Sequence, residues 1–129
     1  MEDEIMTYVD GFVLTVPKNK LNEYRKMAAM GGKVWKKHGA IQYFECVGDD
    51  LTPSMGGMKM TTFPRMTKAK PSETVFFSFI VYKSKTHRNS VNARVMKDPI
   101  MNDPKNKDKP MPFDMKKVAY GGFRTIVKA

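Results

Sequence analysis

The spacing of hydrophobic and polar positions divides the chain into predicted strands and predicted helices. Runs rich in β-branched and aromatic residues predict four strands, at residues 8–16, 41–47, 74–82 and 118–127. Apolar positions at three- and four-residue spacing predict two helices, from about Lys18 to His38 and from Ser84 or Thr86 to about Lys97. The resulting β-α-β-β-α-β order is typical of the ferredoxin-like α+β fold, a four-stranded antiparallel sheet with both helices on one face.

The segments between these elements carry turn-forming residues. Residues 48–72 are rich in Gly, Pro, Thr, Lys and Met and predict a long loop. A second irregular stretch contains Pro104, Pro110 and Pro112. The pair Gly121-Gly122 lies inside the last predicted strand, where it indicates a bulge or a close backbone approach.

Both faces of the third predicted strand are apolar, which bears on assembly. Phe77 and Phe79 alternate with Phe76 and Ile80, and successive side chains of a strand point to opposite faces. Two helices cover only one face of a four-stranded sheet, so the other face must meet a loop or another subunit. We therefore expect a homodimer closed through its sheets.

Length and composition bound the class of protein. The 129 residues are 41% hydrophobic and 28% charged, which predicts a single soluble domain over residues 1–129. No apolar run approaches the length of about 20 residues that a membrane helix needs. The acidic segment 1–4 does not resemble a secretory signal, and the one cysteine, Cys46, has no partner for an internal disulfide. Both features favour a cytoplasmic location.

The net charge of +10 is concentrated in the middle of the chain. Residues 51–97 carry nine lysines and arginines and a single acid, Glu73. Such a segment attracts nucleic acid or acidic metabolites, or provides a solvated basic surface. No aromatic residues are interleaved with these charges as in common RNA-binding motifs, so the solvated surface is the simpler interpretation.

Asp10 and His87 are the first candidates for chemistry. Asp10 lies on the first strand, on the same face as Tyr8 and Phe12. A carboxylate at this position needs a charged or hydrogen-bonding partner, serves as a general base, or hydrogen-bonds to the backbone beside Gly11. His87 begins the second helix and shares a face with Val91. It is a candidate base, or alternatively an ordinary exposed or hydrogen-bonded residue.

Three further residues are candidates for contact with a ligand. Arg124 interrupts the last strand on the same face as Tyr120, where an arginine holds an anionic group, pairs with Asp10 or Glu45, or stays exposed at a sheet edge. Cys46 shares a face with Phe44 and would line a cavity or serve as a small buried residue. We assign Asp10, His87 and Arg124 as candidate catalytic residues and Cys46 and Tyr120 as candidate ligand contacts.

The motifs of metal and cofactor sites are missing from the sequence. It contains no HxxxH, CxxC, Walker loop, GxGxxG or GxSxG. Met55, Met58 and Met60 have a spacing that Cu(I) would accept, but twelve methionines make a local cluster unsurprising. We therefore expect neither a metal nor a cofactor.

Several dispersed motifs resemble one family. They are Tyr8-Val9-Asp10-Gly11-Phe12, the segments 45–50, 63–65 and 96–99, and the stretch from Met111 through Phe123. Together they resemble the YbaA-like family of uncharacterised bacterial proteins. The resemblance implies a dimeric α+β barrel, an architecture shared with cofactor-independent monooxygenases, haem-degrading oxygenases and muconolactone isomerases. It implies no particular activity, because one fold hosts many reactions.

Two functional hypotheses follow. The first is a small cytoplasmic dimer that binds or transforms a small aromatic or quinone-like molecule without a cofactor, with His87 or Asp10 as base and Arg124 holding anionic charge. The alternative is a basic RNA-associated protein without catalysis. Its contacts would be Lys59, Arg65, Lys68, Lys70, Arg88 and Arg94.

Overall fold

One antiparallel sheet organises the protein, which we describe from a computed structural model covering residues 7–129. The acidic segment 1–4 lies outside the described residues. Strands β1 (Tyr8–Pro17), β2 (Gln42–Val47), β3 (Glu73–Tyr82) and β4 (Ala119–Arg124) form the sheet in the order β2-β3-β1-β4. This is the predicted ferredoxin-like α+β plan.

Two long helices cover one face of the sheet. A 3-10 turn (Lys18–Lys20) leads into α1 (Leu21–Lys37), and Gly39 leaves this helix with a φ of +113°, which favours glycine. The other long helix, α3 (Lys85–Met96), begins at Ser84, whose hydroxyl accepts a hydrogen bond from the His87 N–H. Ser84, one of the two helix starts given by the sequence, is thus the N-cap.

The helices and the sheet enclose the core. Burial of each large aliphatic or aromatic side chain stabilises the fold by about 1.5–3 kcal/mol. The core has two clusters side by side along the sheet. One contains Val34, Ala40, Ile80, Tyr82, Val91 and Val95, and the other contains Leu14, Val16, Tyr24, Ala28 and Phe76.

Asp98 links the ends of the two long helices. Its Oδ2 accepts hydrogen bonds from His38 Nε2 at 2.6 Å and Lys37 Nζ at 3.2 Å, and its Oδ1 accepts one from the Ile100 N–H at 2.8 Å. The hydrogen bond from His38 is the main reason why the pKa of Asp98 falls to about 2. The link holds the segment after α3 against the C-terminal end of α1.

The sheet face opposite the long helices is apolar and largely uncovered; we call it the outer face. Phe44, Phe77 and Phe123 on this face are 46%, 48% and 63% exposed. The short helix α2 (Phe63–Thr67) covers one end, where the rings of Phe63 and Phe77 meet edge to face. The loop therefore covers part of the outer face and leaves the rest open.

The structure differs from the sequence prediction at the less regular segments. The predicted loop 48–72 contains α2, and a one-turn helix α4 (Pro104–Lys107) lies in the proline-rich stretch. Strand β4 ends at Arg124 and not near Val127. No bulge occurs at Gly121-Gly122, since Gly11 and Asp10 oppose them in unbroken register. The expected close approach does occur, as described below.

Across residues 7–129, no helix has the length and apolar character needed to cross a membrane.

Candidate functional site

A buried ion pair joins the central strand to the second long helix. Asp10 is only 1% exposed, because β1 lies between β3 and β4 and α3 covers it. Arg88, on the first turn of α3, places Nη1 3.5 Å from Asp10 Oδ1. A buried carboxylate needs such a partner, since burial of an isolated charge is costly.

Two tyrosines complete this group, which we call the Asp10 cluster: Asp10, Arg88, Tyr8 and Tyr120. Arg88 donates hydrogen bonds to the hydroxyls of Tyr120 at 2.8 Å and Tyr8 at 3.3 Å, and its guanidinium lies 5.1 Å from the centre of the Tyr8 ring. A Cβ at Gly122 would collide with the Tyr8 hydroxyl. The absence of a side chain at Gly122 therefore leaves the space on β4 that the Tyr8 side chain occupies.

The Asp10 cluster contains one buried hydrogen-bond acceptor and one buried hydrogen-bond donor without a partner among residues 7–129. Within the described residues, Asp10 Oδ1 accepts no hydrogen bond and Arg88 Nε donates none, although both atoms are buried. Burial raises the pKa of Asp10, and the charge of Arg88 offsets this effect only in part. Asp10 is therefore a candidate proton acceptor.

The other predicted catalytic residues lie apart from this cluster. His87 accepts a hydrogen bond from the Lys83 N–H at Nδ1, 2.9 Å away, and its ring meets Tyr82 edge to face. Burial, with the charges of Lys83 and Arg94, lowers the pKa of His87. Arg124 is exposed, and among the described residues it forms no ion pair with Asp10 or Glu45. Arg88 occupies the position beside Asp10 that the sequence suggested for Arg124.

The two predicted ligand contacts lie on opposite faces of the sheet. Tyr120 belongs to the Asp10 cluster, is 53% exposed and stacks on Phe12 with ring centres 4.8 Å apart. Cys46 is exposed on the outer face, opposite Phe77 in the register of β2 and β3. The expectation of a buried Cys46 is wrong because β2 is an edge strand and the long helices cover only its other side.

A second carboxylate lies at the base of a groove between α1 and the sheet. Glu45, on β2, accepts hydrogen bonds from the hydroxyls of Tyr24 at 2.7 Å and Tyr43 at 2.9 Å. The Ser78 hydroxyl on β3 donates a third. Three elements thus hold the carboxylate in one orientation.

The groove beside Glu45, which we call the Glu45 groove, is a concave site between α1 and the sheet. Its volume is about 610 Å³. Most of its lining is apolar, and Asn22 and Arg25 are its exposed polar residues. The remaining lining residues are Leu21, Tyr24, Ala28, Ala29, Gly32, Tyr43, Glu45, Val47 and Phe76.

Two features keep the floor of the Glu45 groove in place. Burial and the neighbouring Glu45 carboxylate raise the pKa values of Tyr24 and Tyr43, so both phenols stay protonated and donate. A Cβ at Gly32 would lie 2.9 Å from Cδ1 of Tyr43. The absence of a side chain at Gly32 lets the Tyr43 ring lie against α1 and reach Glu45.

Asn92 joins the surroundings of the two carboxylates. Its Oδ1 accepts hydrogen bonds from Trp35 Nε1 at 3.1 Å and from the Tyr82 hydroxyl at 3.3 Å. The Trp35 ring packs against Tyr43 of the Glu45 groove, with ring centres 6.3 Å apart. Tyr82 lies near Asp10, whose charge contributes with burial to a raised pKa of Tyr82.

Metal-ligating residues do not converge in the part of the chain that the structure describes. No group of three or more His, Cys, Asp or Glu side chains there is arranged to hold a metal ion.

Comparison with known proteins assigns the family. The model of DUF1428, a protein family of unknown function, matches residues 7–115. The chain belongs to the DUF1428 family. The match spans Asp10, Glu45, His87 and Arg88 and stops before Tyr120.

Relatives that match nearly the whole chain confirm the predicted resemblance to the YbaA-like family. The uncharacterised protein YbaA of Escherichia coli K12 is 42% identical over 122 residues, which are 95% of this chain and 98% of that protein. The Shigella flexneri protein of the same name gives the same values. None of these relatives carries a described activity.

Solved structures with similar backbones are more distant. A dimeric ferredoxin-like protein from an uncultured marine organism has a TM-score of 0.49 at 10% identity, with 95% of this chain and 99% of that chain covered. The designed protein Foldit4 has a TM-score of 0.41 at the same identity and coverage. Both scores are below 0.5, so the fold assignment rests on the strand order of this chain itself.

Two residues of the candidate sites are not indicated as such by the sequence. Glu45 was noted only as an acid that Arg124 would pair with, and Arg88 only as a basic residue that would contact RNA. The spacing of Tyr43 and Glu45 on one face of β2 was the available signal for the groove. No comparable signal indicated Arg88, because its contact with Asp10 joins residues 78 positions apart in the chain.

Proposed function

We propose that this protein binds a small organic molecule in the Glu45 groove. The observation that carries the proposal is the Glu45 carboxylate, oriented by three hydroxyl donors at the base of a mostly apolar groove. Ligand sites combine these features, apolar walls for affinity and a few fixed polar groups for orientation. The volume of about 610 Å³ is within the range of about 300–1,000 Å³ typical of such sites.

A second candidate function is proton transfer at the Asp10 cluster. It is supported by the raised pKa of Asp10 and by its unsatisfied Oδ1. Asp10 would act as the base, and Arg88 would take the role expected of Arg124, with Tyr120 as the exposed member next to a substrate. His87 forms no hydrogen bond with this cluster in the described residues, so we leave it out of the proposed reaction.

A homodimer closed through the outer face is part of the proposal. The large side chains on this face are apolar, and a furrow of about 480 Å³ between them includes Gly11 and Gly121 in its lining. An isologous interface pairs the same patch on two subunits and needs no charge complementarity. A second copy of the chain is therefore the occupant that this uncharged face suits best.

The RNA-associated alternative has less support than the groove. Lys59, Arg65, Lys68 and Lys70 are exposed and suit phosphate contact. Arg88 is only 15% exposed and is paired with Asp10, and Arg94 donates to the His38 carbonyl at 2.6 Å. The basic surface available to RNA is thus smaller than the sequence suggested.

Filling the groove tests the proposal. Ala29 is exposed and lines the Glu45 groove, so Ala29→Phe places a ring inside it. Ala93→Phe on the exposed side of α3 is the matched control. We expect ligand-observed NMR with a library of small aromatic and aliphatic compounds to detect binding to wild type and Ala93→Phe, and at least about tenfold weaker binding to Ala29→Phe. If no compound distinguishes the two variants, the groove is not the binding site.

A further inference from the structure

Among the residues that the structure describes, Glu45 is the only acidic one that lines the Glu45 groove. Its three hydrogen-bond donors are the neutral hydroxyls of Tyr24, Tyr43 and Ser78. These three groups orient the carboxylate and supply no counter-charge to it. Among the described residues, no lysine or arginine nitrogen comes within 4 Å of Glu45, whereas Asp10 and Asp98 both have a cationic partner.

This arrangement leaves a negative charge in an apolar groove without a counter-charge from the chain. We propose that the ligand of the Glu45 groove carries a protonated amine on an apolar body, with the ammonium group against the Glu45 carboxylate. The inference rests on the proposed function and specifies the chemical class of the ligand. Charge complementarity is its basis, since an ammonium group donates to the one lone pair, on Oε2, that the three hydroxyls leave free.

The walls of the groove suit the same class of ligand. Tyr43 and Tyr24 present aromatic rings beside Glu45, and Tyr24 packs on Phe76 with ring centres 4.4 Å apart. Aromatic rings attract cations through their negative faces and also pack against apolar groups. Both phenols remain protonated and uncharged, so neither of them supplies a counter-charge to Glu45.

Arg25 is the feature that would favour the opposite class. It lines the groove but is exposed to solvent, and exposed charges are screened and contribute little. An anionic ligand would gain this weak contact and would place its charge near Glu45. The position of Glu45 at the base therefore outweighs that of Arg25.

Three probes with one phenethyl body and different charges test the inference. We propose calorimetric titration of wild type with phenethylamine, 2-phenylethanol and 3-phenylpropionate at pH 7. The amine is expected to bind at least about tenfold more tightly than the alcohol, because hydrogen bonds between charged groups are stronger than those between neutral groups. Glu45→Gln is expected to remove this preference. Glu23→Gln, the removal of an exposed charge on α1 that does not line the groove, is expected to retain it.

The outcomes separate the ligand class from the proposed function. Equal binding of amine and alcohol by wild type, or tightest binding of the carboxylate, would overturn the amine class and leave a functional groove. Absence of binding by all three probes would overturn the amine class, and the Ala29→Phe comparison would then decide the groove itself. The order of the probes on wild type gives the answer even if Glu45→Gln does not fold.

Discussion

At the scale of single residues, Asp10 and Arg88 place opposite charges beneath the same helix. Asp10 is almost completely buried, and Arg88 is the cation next to it. Removal of one member of a buried pair leaves the other uncompensated, which costs more than the pair itself contributes. The stability of the fold should therefore depend strongly on Arg88.

We expect Arg88→Gln to lower the free energy of unfolding by about 3 kcal/mol at pH 8. Without Arg88, burial raises the pKa of Asp10 further above its ordinary value of 3.8. A raised pKa in the folded state means that the folded state binds more protons, so stability falls as the pH rises through the interval from 3.8 to that pKa. The deficit should therefore be smaller at pH 5 than at pH 8.

Urea unfolding of wild type and Arg88→Gln at the two pH values measures this difference. Arg65→Gln is the control, since Arg65 is exposed on α2, and we expect its effect to stay within about 0.5 kcal/mol. An equal deficit of Arg88→Gln at pH 5 and pH 8 would show that Asp10 does not take up a proton.

At the scale of elements, α1 accepts two adjacent glycines in its middle so that β2 can approach it. Each glycine in a helix costs about 1 kcal/mol relative to alanine. Gly31 and Gly32 both face Tyr43, with constructed Cβ positions 3.1 Å from its hydroxyl and 2.9 Å from its Cδ1. The helix loses intrinsic stability and the Glu45 groove gains a fixed tyrosine.

The effect of Gly32→Ala should therefore change sign with the residue at position 43. In the wild-type background we expect a loss of stability, because the new methyl group displaces the Tyr43 ring from Glu45. In a Tyr43→Ala background we expect a gain of about 1 kcal/mol from helix propensity alone. Thermal unfolding of the four proteins of this double-mutant cycle gives the coupling. Additive effects would show that Tyr43 does not limit the helix.

The elements also differ in how well the sequence pattern predicts them. The hydrophobic periods of β1, β3 and both long helices follow from which residues must be buried. The bounds of these four elements were therefore predictable to within one to three residues. The helix α2 has only five residues, too few to show a period, and its contact with Phe77 joins it to a distant strand. The Glu45 groove and the pair of Asp10 with Arg88 arise where separate elements meet. Local patterns indicate such residues individually but not which of them come together.

At the scale of the whole molecule, the outer face is an exposed apolar surface. Four phenylalanines lie on it: Phe44, Phe77, Phe79 and Phe123. Phe44 and Phe79 stack with ring centres 5.0 Å apart, and the most exposed of the four is Phe123, at 63%. Large apolar patches on a protein surface mark interaction sites.

We expect light scattering after size exclusion to give about twice the chain mass of 14.7 kDa for the wild type. Phe123→Asp places a charge in the proposed interface and should yield the monomer mass, since an unpaired buried charge is costly. Met96→Asp is the control, because Met96 is 58% exposed on α3 and lies away from the outer face. A monomeric wild type would overturn the proposed dimer.

The shared hydrogen bonds of Asn92 have a spectroscopic consequence. Trp35 is the single tryptophan of the chain, and its indole contacts Tyr43 on one side and donates to Asn92 on the other. Asn92 in turn accepts from Tyr82, next to Asp10. The emission of one intrinsic fluorophore therefore responds to the packing of both carboxylate sites, and the protein carries its own label for each.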